Sequence, residues 1–389
     1  MSDRNSTINK ILKFILNNAI FAALLLILIG IIIKEPSFFR LSNFVNIFAQ
    51  ASTRMIIAVG IGTLLVTQGN DLGAGRAVGL AAVVSASLLQ SATNPTRMYP
   101  DLPLLPVILP ILLVMLILMV FGFINGFIIS KLYVTPFIAT LGMQLILYGV
   151  TSTYFDRPPY GAQPIGGLDP RFTNLAQGGI KIGGLTISYL IIFAVIITLI
   201  MWVIWNKTKL GKNIFAVGGN PEAAAVSGVN IPLTLMIVYT MAGALYGIAG
   251  SLEVARVGSA TNNLGNGYEL DAIAACVVGG VSFSGGIGSI LGIVSGVLIF
   301  QVINYGMTFV GISPYMQYII KGAIIIAAVA VDTQKYLKKV WWIVENDPFR
   351  TEFNKKETRK RTIKSWIFFG FVFLIFVVAE LIRYIKGLM

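Results

Sequence analysis

The sequence predicts an all-α, polytopic membrane bundle, and three observations carry that assignment. Apolar residues fill 56% of the 389 positions and charged residues only 12%, whereas a soluble domain is about a quarter charged. The apolar residues fall in runs near the roughly 20 residues that a helix needs to cross hydrocarbon. Lys and Arg collect in alternate connections between those runs, as they do on the cytoplasmic side of membrane proteins.

Eleven spans are expected, at 14–33, 46–67, 75–93, 106–129, 136–155, 186–205, 233–254, 271–286, 288–310, 315–331 and 366–386. The first runs into Ile33-Lys34-Glu35-Pro36 without a small-residue cleavage site, so it reads as an uncleaved helix rather than a signal peptide. The second, third, eighth and ninth are interrupted by Gly and polar residues. With the N-terminus inside, 18 basic residues fall inside and nine outside. Most of that bias lies in 332–364, and the C-terminus is left outside. The net charge of +13 is then explained by membrane flanks and needs no nucleic acid. Histidine is absent and Cys276 is the one cysteine. That excludes a His/Cys zinc site, a disulfide framework and His-dependent catalytic triads.

Two interrupted stretches resemble each other. Gly69-Asn70-Asp71-Leu72-Gly73-Ala74-Gly75 and Gly280-Val281-Ser282-Phe283-Ser284-Gly285-Gly286 each lie between apolar runs, about 211 positions apart. Glycine-broken spans at matching places in two halves point to a transport path, or to close helix packing by small residues alone.

Intramembrane carboxylates are costly and mark candidate sites. Asp71, Glu253, Glu269 and Asp271 fall in or beside spans. Asp71 is expected to pair with Arg54 or Arg76, to cap a half-helix, or to meet substrate. The segment Ser259–Asp271 is dense in hydrogen-bonding groups. It reads either as contacts for a polyhydroxylated solute or as an outer loop ending in a cap. Gln68, Asp71, Arg76, Asn262, Asn263, Glu269, Asp271, Ser282, Asn304 and Tyr305 are the candidates for a polar path. Gln144 and Gln301 are further ones. Amides and hydroxyls both donate and accept, which suits neutral solutes. Neither a carboxylate ring nor a carbonyl filter sequence, the marks of an ion channel, is present.

Between the sixth and seventh spans, Asn220 is a good N-cap, Pro221 fits the first helical position and Glu222 favours a helix N-terminus. Ala223, Ala224 and Ala225 favour helix, Gly228 can end it, and Pro232 should prevent its resumption. About seven residues make a helix about 10 Å long, too short to stand alone in water. It therefore packs either on a partner or on its own bundle. No G-x-x-x-x-G-K-[ST] phosphate loop occurs, so a motor would have to be a separate ATPase.

Glu222-Ala223-Ala224-x-x-x-Gly228 resembles the EAA loop of bacterial ABC importer permeases. Gln68–Arg76 and Glu269–Gly286 resemble the two membrane signatures of the ribose/xylose/galactose permease family. The resemblance covers about residues 10–338. It implies a bacterial cytoplasmic (inner) membrane permease for a monosaccharide, with galactose or a galactoside favoured over ribose or xylose. The chain itself would be non-catalytic and hold no cofactor. The implied partners are a second copy, an ATPase with two fused nucleotide-binding halves carrying ATP and Mg, an external sugar-binding protein, and lipid. Asn220–Gly228 would couple to the ATPase. Three regions follow: a permease domain at 1–338, a basic cytoplasmic linker at 339–364, and an extra helix at 365–389. That tail departs from the family pattern. Two other readings compete. One is a proton-coupled sugar transporter using Asp71 or Asp271. The other is a membrane enzyme using Asp156 and Asp169, whose Pro- and Gly-rich surroundings read as turns.

Overall fold

The computed structural model describes residues 19–157, 161–182 and 185–345. The expected span 366–386, most of the 339–364 linker and residues 14–18 lie outside them. By contacts the chain divides into Met1–Gln334 and Lys335–Met389. Of the latter, residues 335–345 are described, as the end of a helix.

The elements are α1 (Ala19–Lys34), a 3₁₀ turn (Pro36–Phe39), α2 (Leu41–Val66), α3 (Ala74–Leu88), α4 (Ile108–Lys131), α5 (Pro136–Phe155), α6 (Pro170–Gln177), a hairpin of β1 (Gly179–Ile182) with β2 (Leu185–Ser188), α7 (Tyr189–Lys207), α8 (Lys209–Gly219), α9 (Pro221–Val226), α10 (Ile231–Val257), α11 (Tyr268–Val278), α12 (Ile290–Phe309) and α13 (Pro314–Glu345). Among the described residues, α2, α4, α7, α10 and α12 are long and apolar enough to cross a membrane. The fifth expected span matches α5 at both ends.

α2 is the central post. It is buried without interruption from Met55 to Val66, as an all-round apolar helix must be. α10 packs on α4 antiparallel and very closely. A Cβ on Gly126 would lie 2.7 Å from the Met236 backbone, and one on Gly247 would lie 2.7 Å from Met115. Small residues permit that approach where both solvent and lipid offer little drive for association. The outer faces of α4, α5 and α7 expose Leu112, Leu116, Val120, Leu145, Ile146, Val195 and Leu199, the surface expected against lipid.

Two expected spans are half-helices. α3 has 15 residues, a rise of about 22 Å against a hydrocarbon core of about 30 Å. α11 has 11 residues. It ends because Gly280 takes φ +84°, while the N–H of Val281 donates to the Cys276 carbonyl. That is a helix stop which a Cβ would disfavour. The tenth expected span, in contrast, lengthens to Pro314–Glu345.

The two half-helices start against each other and run in opposite directions. A Cβ on Gly75 would fall on the Gly265 carbonyl and the Glu269 carboxylate. From there α3 runs to the hairpin end, where the Asp169 N–H donates to the Leu89 carbonyl. α11 runs to the α8–α9 end, where the Gly286 N–H donates to the Val66 carbonyl. The internal repeat is therefore present, in another register. The matching units are α2, break 67–73, α3 and α10, break 258–267, α11. The stretch 280–286, paired by sequence with 69–75, follows its half-helix instead of preceding it.

Gly75→Ala should destabilise the bundle by about 1–3 kcal/mol, the usual cost of overpacking. Gly142→Ala on α5 has nothing within 4 Å of its new methyl and should be neutral or stabilising, as alanine is the better helix former. Thermal melts of the two purified variants in detergent check the contrast.

Candidate functional site

The most heavily bonded polar group in the described bundle is Glu253, on the last turns of α10. Its carboxylate is buried and accepts from Thr53 Oγ1 at 2.7 Å, Tyr268 Oη at 2.9 Å and Arg256 Nη2 at 2.9 Å. Arg54 Nη2 stands 4.0 Å away, and its guanidinium lies over the Tyr268 ring. One carboxylate thus ties α2 and the start of α11 to α10. Arg54 is committed to Glu253, so the expected Arg54–Asp71 pair is not formed.

Beside this knot lies a cleft of about 230 Å³, lined by Arg54, Asp271, Ala275, Phe300, Gln301 and Asn304. Asp271 pairs with Lys321 Nζ of α13 at 3.0 Å. Gln301 Nε2 donates to Gln50 Oε1 at 3.0 Å. Asp271, Gln301 and Asn304 are the sequence candidates brought together here. Tyr305 is not among the lining residues. Its hydroxyl donates to Asn43 Oδ1 at 3.1 Å, and its ring stacks on Phe309 in a packing cluster with Phe38 and Ile31.

Where α3 meets the 258–267 break, the structure assembles a second group. Arg76 Nη1 reaches the Asn262 carbonyl at 3.5 Å and Asn263 Oδ1 at 3.4 Å, over the Tyr148 ring. Asn262 Nδ2 donates to Ser152 Oγ. Glu269 is buried against Gly75. Arg76 sits in the first turn of a half-helix within the bundle.

Asp71 stands apart from both groups. It is buried and accepts the Gly73 N–H at 2.8 Å, a turn within the break, while the N-cap position of α3 is Gly73 and carries no side-chain bond. It lines a separate cavity of about 250 Å³ with Asn125 and Tyr246. Gln68 and Ser282 lie at the α8–α9 end. Gln68 takes φ +61° and its Nε2 donates to the Gly218 carbonyl at 2.8 Å. Ser282 Oγ accepts the Ser284 N–H within its own turn.

At the hairpin end, Asp169 caps α6, accepting the Arg171 N–H at 2.8 Å and Arg171 Nη2 at 2.7 Å. Those bonds hold its carboxyl below the ordinary 3.8. A committed cap of this kind leaves no reactive pair with Asp156, and the expected turns include a helix and a hairpin.

The α8–α9 end presents the exposed element. Sequence reasoning missed α8. Thr208 Oγ1 accepts the Gly211 N–H, and Leu210, Ile214 and Val217 line its inner side at helical spacing. That cap and spacing were the available signal. α9 forms as expected. Asn220 Oδ1 accepts the Ala223 N–H at 3.0 Å, Pro221 opens the helix, and Gly228 takes φ +80° beyond its end. Its six residues are one fewer than expected. Only Ala224 faces inward, while Pro221, Glu222, Ala223, Ala225 and Val226 are exposed, Val226 at 92%. Pro232 does not stop helix formation. It lies in the first turn of α10, capped by Asn230 Oδ1, a position where its missing N–H costs nothing.

Comparison with known proteins follows this geometry. The family model described as branched-chain amino acid transport system / permease component matches residues 43–329. The galactose/methyl galactoside import permease protein MglC of Escherichia coli (strain K12) is 54% identical over 336 residues, 86% of this chain and 99% of that protein. MglC of Haemophilus influenzae is 54% identical over 331 residues, 85% and 98% of the two chains. The ribose import permease protein RbsC of Escherichia coli (strain K12) is 37% identical over 315 residues, 80% and 92% of the two chains. No solved structure matches.

Glu253→Gln removes the countercharge of Arg54 and Arg256 inside the bundle and should cost about 3–5 kcal/mol. Arg171→Gln removes an exposed partner at the hairpin end and should cost far less, because solvent screens that pair. Thermal melts in nanodiscs check the ranking.

Proposed function

This chain belongs to the branched-chain amino acid transport system / permease component family, and we propose that it is the conducting subunit of an ATP-driven importer of galactose and methyl galactoside. The observation that carries the cargo is the 54% identity to MglC across nearly the whole of that protein, against 37% to the ribose permease. The family membership and the apolar helices make it a permease in a membrane. The finer placement is bacterial cytoplasmic membrane, with the α8–α9 end cytoplasmic, where Lys207, Lys209 and Lys212 lie. The segment 366–386 would then carry the C-terminus outside.

ATP and Mg belong to a partner ATPase with two fused nucleotide-binding halves. α9 fits the role of its docking knob: short, exposed on every side but one, and held at a fixed angle by the Asn220 cap. A second copy of the chain would cover the face formed by α12 and α13. That face exposes Leu291, Tyr315, Tyr318 and Ile319 beside the polar cleft, a neighbourhood that lipid tails would penalise. An external binding protein delivers the sugar, so the path needs only weak contacts. ATP binding closes the motor, α9 moves with it, and the two copies exchange outward for inward access. The Asp271–Lys321 pair supports this reading over a proton relay, because it ties the carboxylate to a neighbouring helix.

The test is uptake into proteoliposomes holding this chain, its ATPase and its binding protein. Galactose should enter only with ATP inside the ATPase compartment, and excess ribose should compete poorly. Entry driven by a proton gradient alone would overturn the assignment. Because Ala224 packs inward, bulk there perturbs the local fold. Val226→Glu instead changes only the exposed surface. It should abolish uptake and co-purification of the ATPase while leaving the melting temperature of the permease within about 2 °C, as surface substitutions do. Full uptake by Val226→Glu would remove the docking role.

A further inference from the structure

We infer that the cleft between α2, α11 and α12 is a contact site for a neutral sugar hydroxyl, with Arg54 as its donor and Asn304 as its acceptor. The inference rests on the sugar-permease reading and adds the place and the residues. Arg54 Nη1 and Asn304 Oδ1 are both buried and have no hydrogen-bond partner among the described residues. Both residues line the same cleft of about 230 Å³. An unmatched buried polar atom costs about 1–3 kcal/mol, and two of opposite kind around one cleft describe a ligand that both donates and accepts. A hydroxyl is such a group.

The charges favour a neutral ligand. The lining carries one cation, Arg54, and one anion, Asp271, and each is already engaged, with Glu253 and Lys321 respectively. A free anion would meet Asp271 and the Asn304 oxygen, and a free cation would meet Arg54. The enclosed room is about 10 Å³, that of one water molecule, so one hydroxyl fits into it and the rest of the ring stays outside. A sugar would be touched on one side and not retained, which suits passage.

The cleft can be read in the working complex of permease, ATPase and binding protein. Cys276 is buried and is the chain's one cysteine, so Asn304→Cys adds a single reportable thiol. A small, charged thiol reagent should modify position 304, and saturating D-galactose during turnover should slow the modification several-fold. The same thiol placed by Leu104→Cys, on the exposed connection before α4, should be indifferent to sugar. Asn304→Leu should lower uptake about 10-fold, as loss of a hydrogen bond in a dry site does. Asn304→Ser, which keeps an acceptor, should stay near the native rate. Absence of labelling, labelling unaffected by galactose, or native uptake by Asn304→Leu each overturns the site. If the unaltered complex moves another sugar and ignores galactose, the cargo reading fails, and repeating the protection with that sugar decides the site on its own.

Discussion

The backbone contact between Gly75 and Gly265, where two helices begin inside the bundle, is the constraint on which the rest of the structure depends. A helix start leaves N–H groups without partners, and hydrocarbon offers nothing to satisfy them. Starting α3 and α11 against each other shields both starts at once. It also places two positive helix ends around Glu269, whose carboxylate such ends favour. A side chain at Gly75 would separate them. The close approach therefore buries Gly265 and Glu269 of this polar run among apolar helices, while Asn263 and Asn266 stay exposed. It also explains why the repeat is inverted. Each long helix, α2 or α10, turns back through a polar break into a short helix, and the two short helices point to opposite ends.

α11 then serves as a junction. Tyr268 and Asp271 lie three residues apart on it and face different partners. Tyr268 joins the Glu253 knot with Arg54, and Asp271 holds Lys321 of α13. The cleft lies between these two attachments. Its two charged lining residues, Arg54 and Asp271, are paired with Glu253 and Lys321.

Much of this was legible in the sequence and some was not, for identifiable reasons. Span positions, the α9 cap and the polar character of 259–271 followed from local chemistry: runs of apolar residues, Asn before Pro, clustered amides. The half-helices were read as full spans because Leu89 and Val281–Gly286 continue the apolar or small-residue pattern that Leu88 and Val278 end. The left-handed turn at Gly280 stops α11, and tertiary bonds at Leu89 and Val66 hold the chain beyond each half-helix. The repeat register slipped because 69–75 and 280–286 share glycines for different purposes, one opening a helix and one closing it. Glu253 was visible as a costly carboxylate. Its partners Thr53 and Arg54 lie about 200 positions away, and no local rule reaches that far. The same distance explains why Asp71 stood among the partners considered for Arg54.

The six-residue α9 gains significance from what stands behind it. It leads out of α8, whose Gly218 packs on the Val66 backbone and beside Gly286, with Gln68 bonded to the Gly218 carbonyl. Those contacts join α8 to the end of α2 and to the turn that follows α11. Arg54 lies 12 residues up α2 from Val66, about 18 Å by helix rise, and Ala275 lies just above the α11 stop. Both line the cleft. A load on α9 therefore has a packed backbone route, without an intervening loose loop, to two walls of the polar cleft. Glycine at 218 is what permits it, since a Cβ there would fall on the Val66 carbonyl and push α8 off the end of α2.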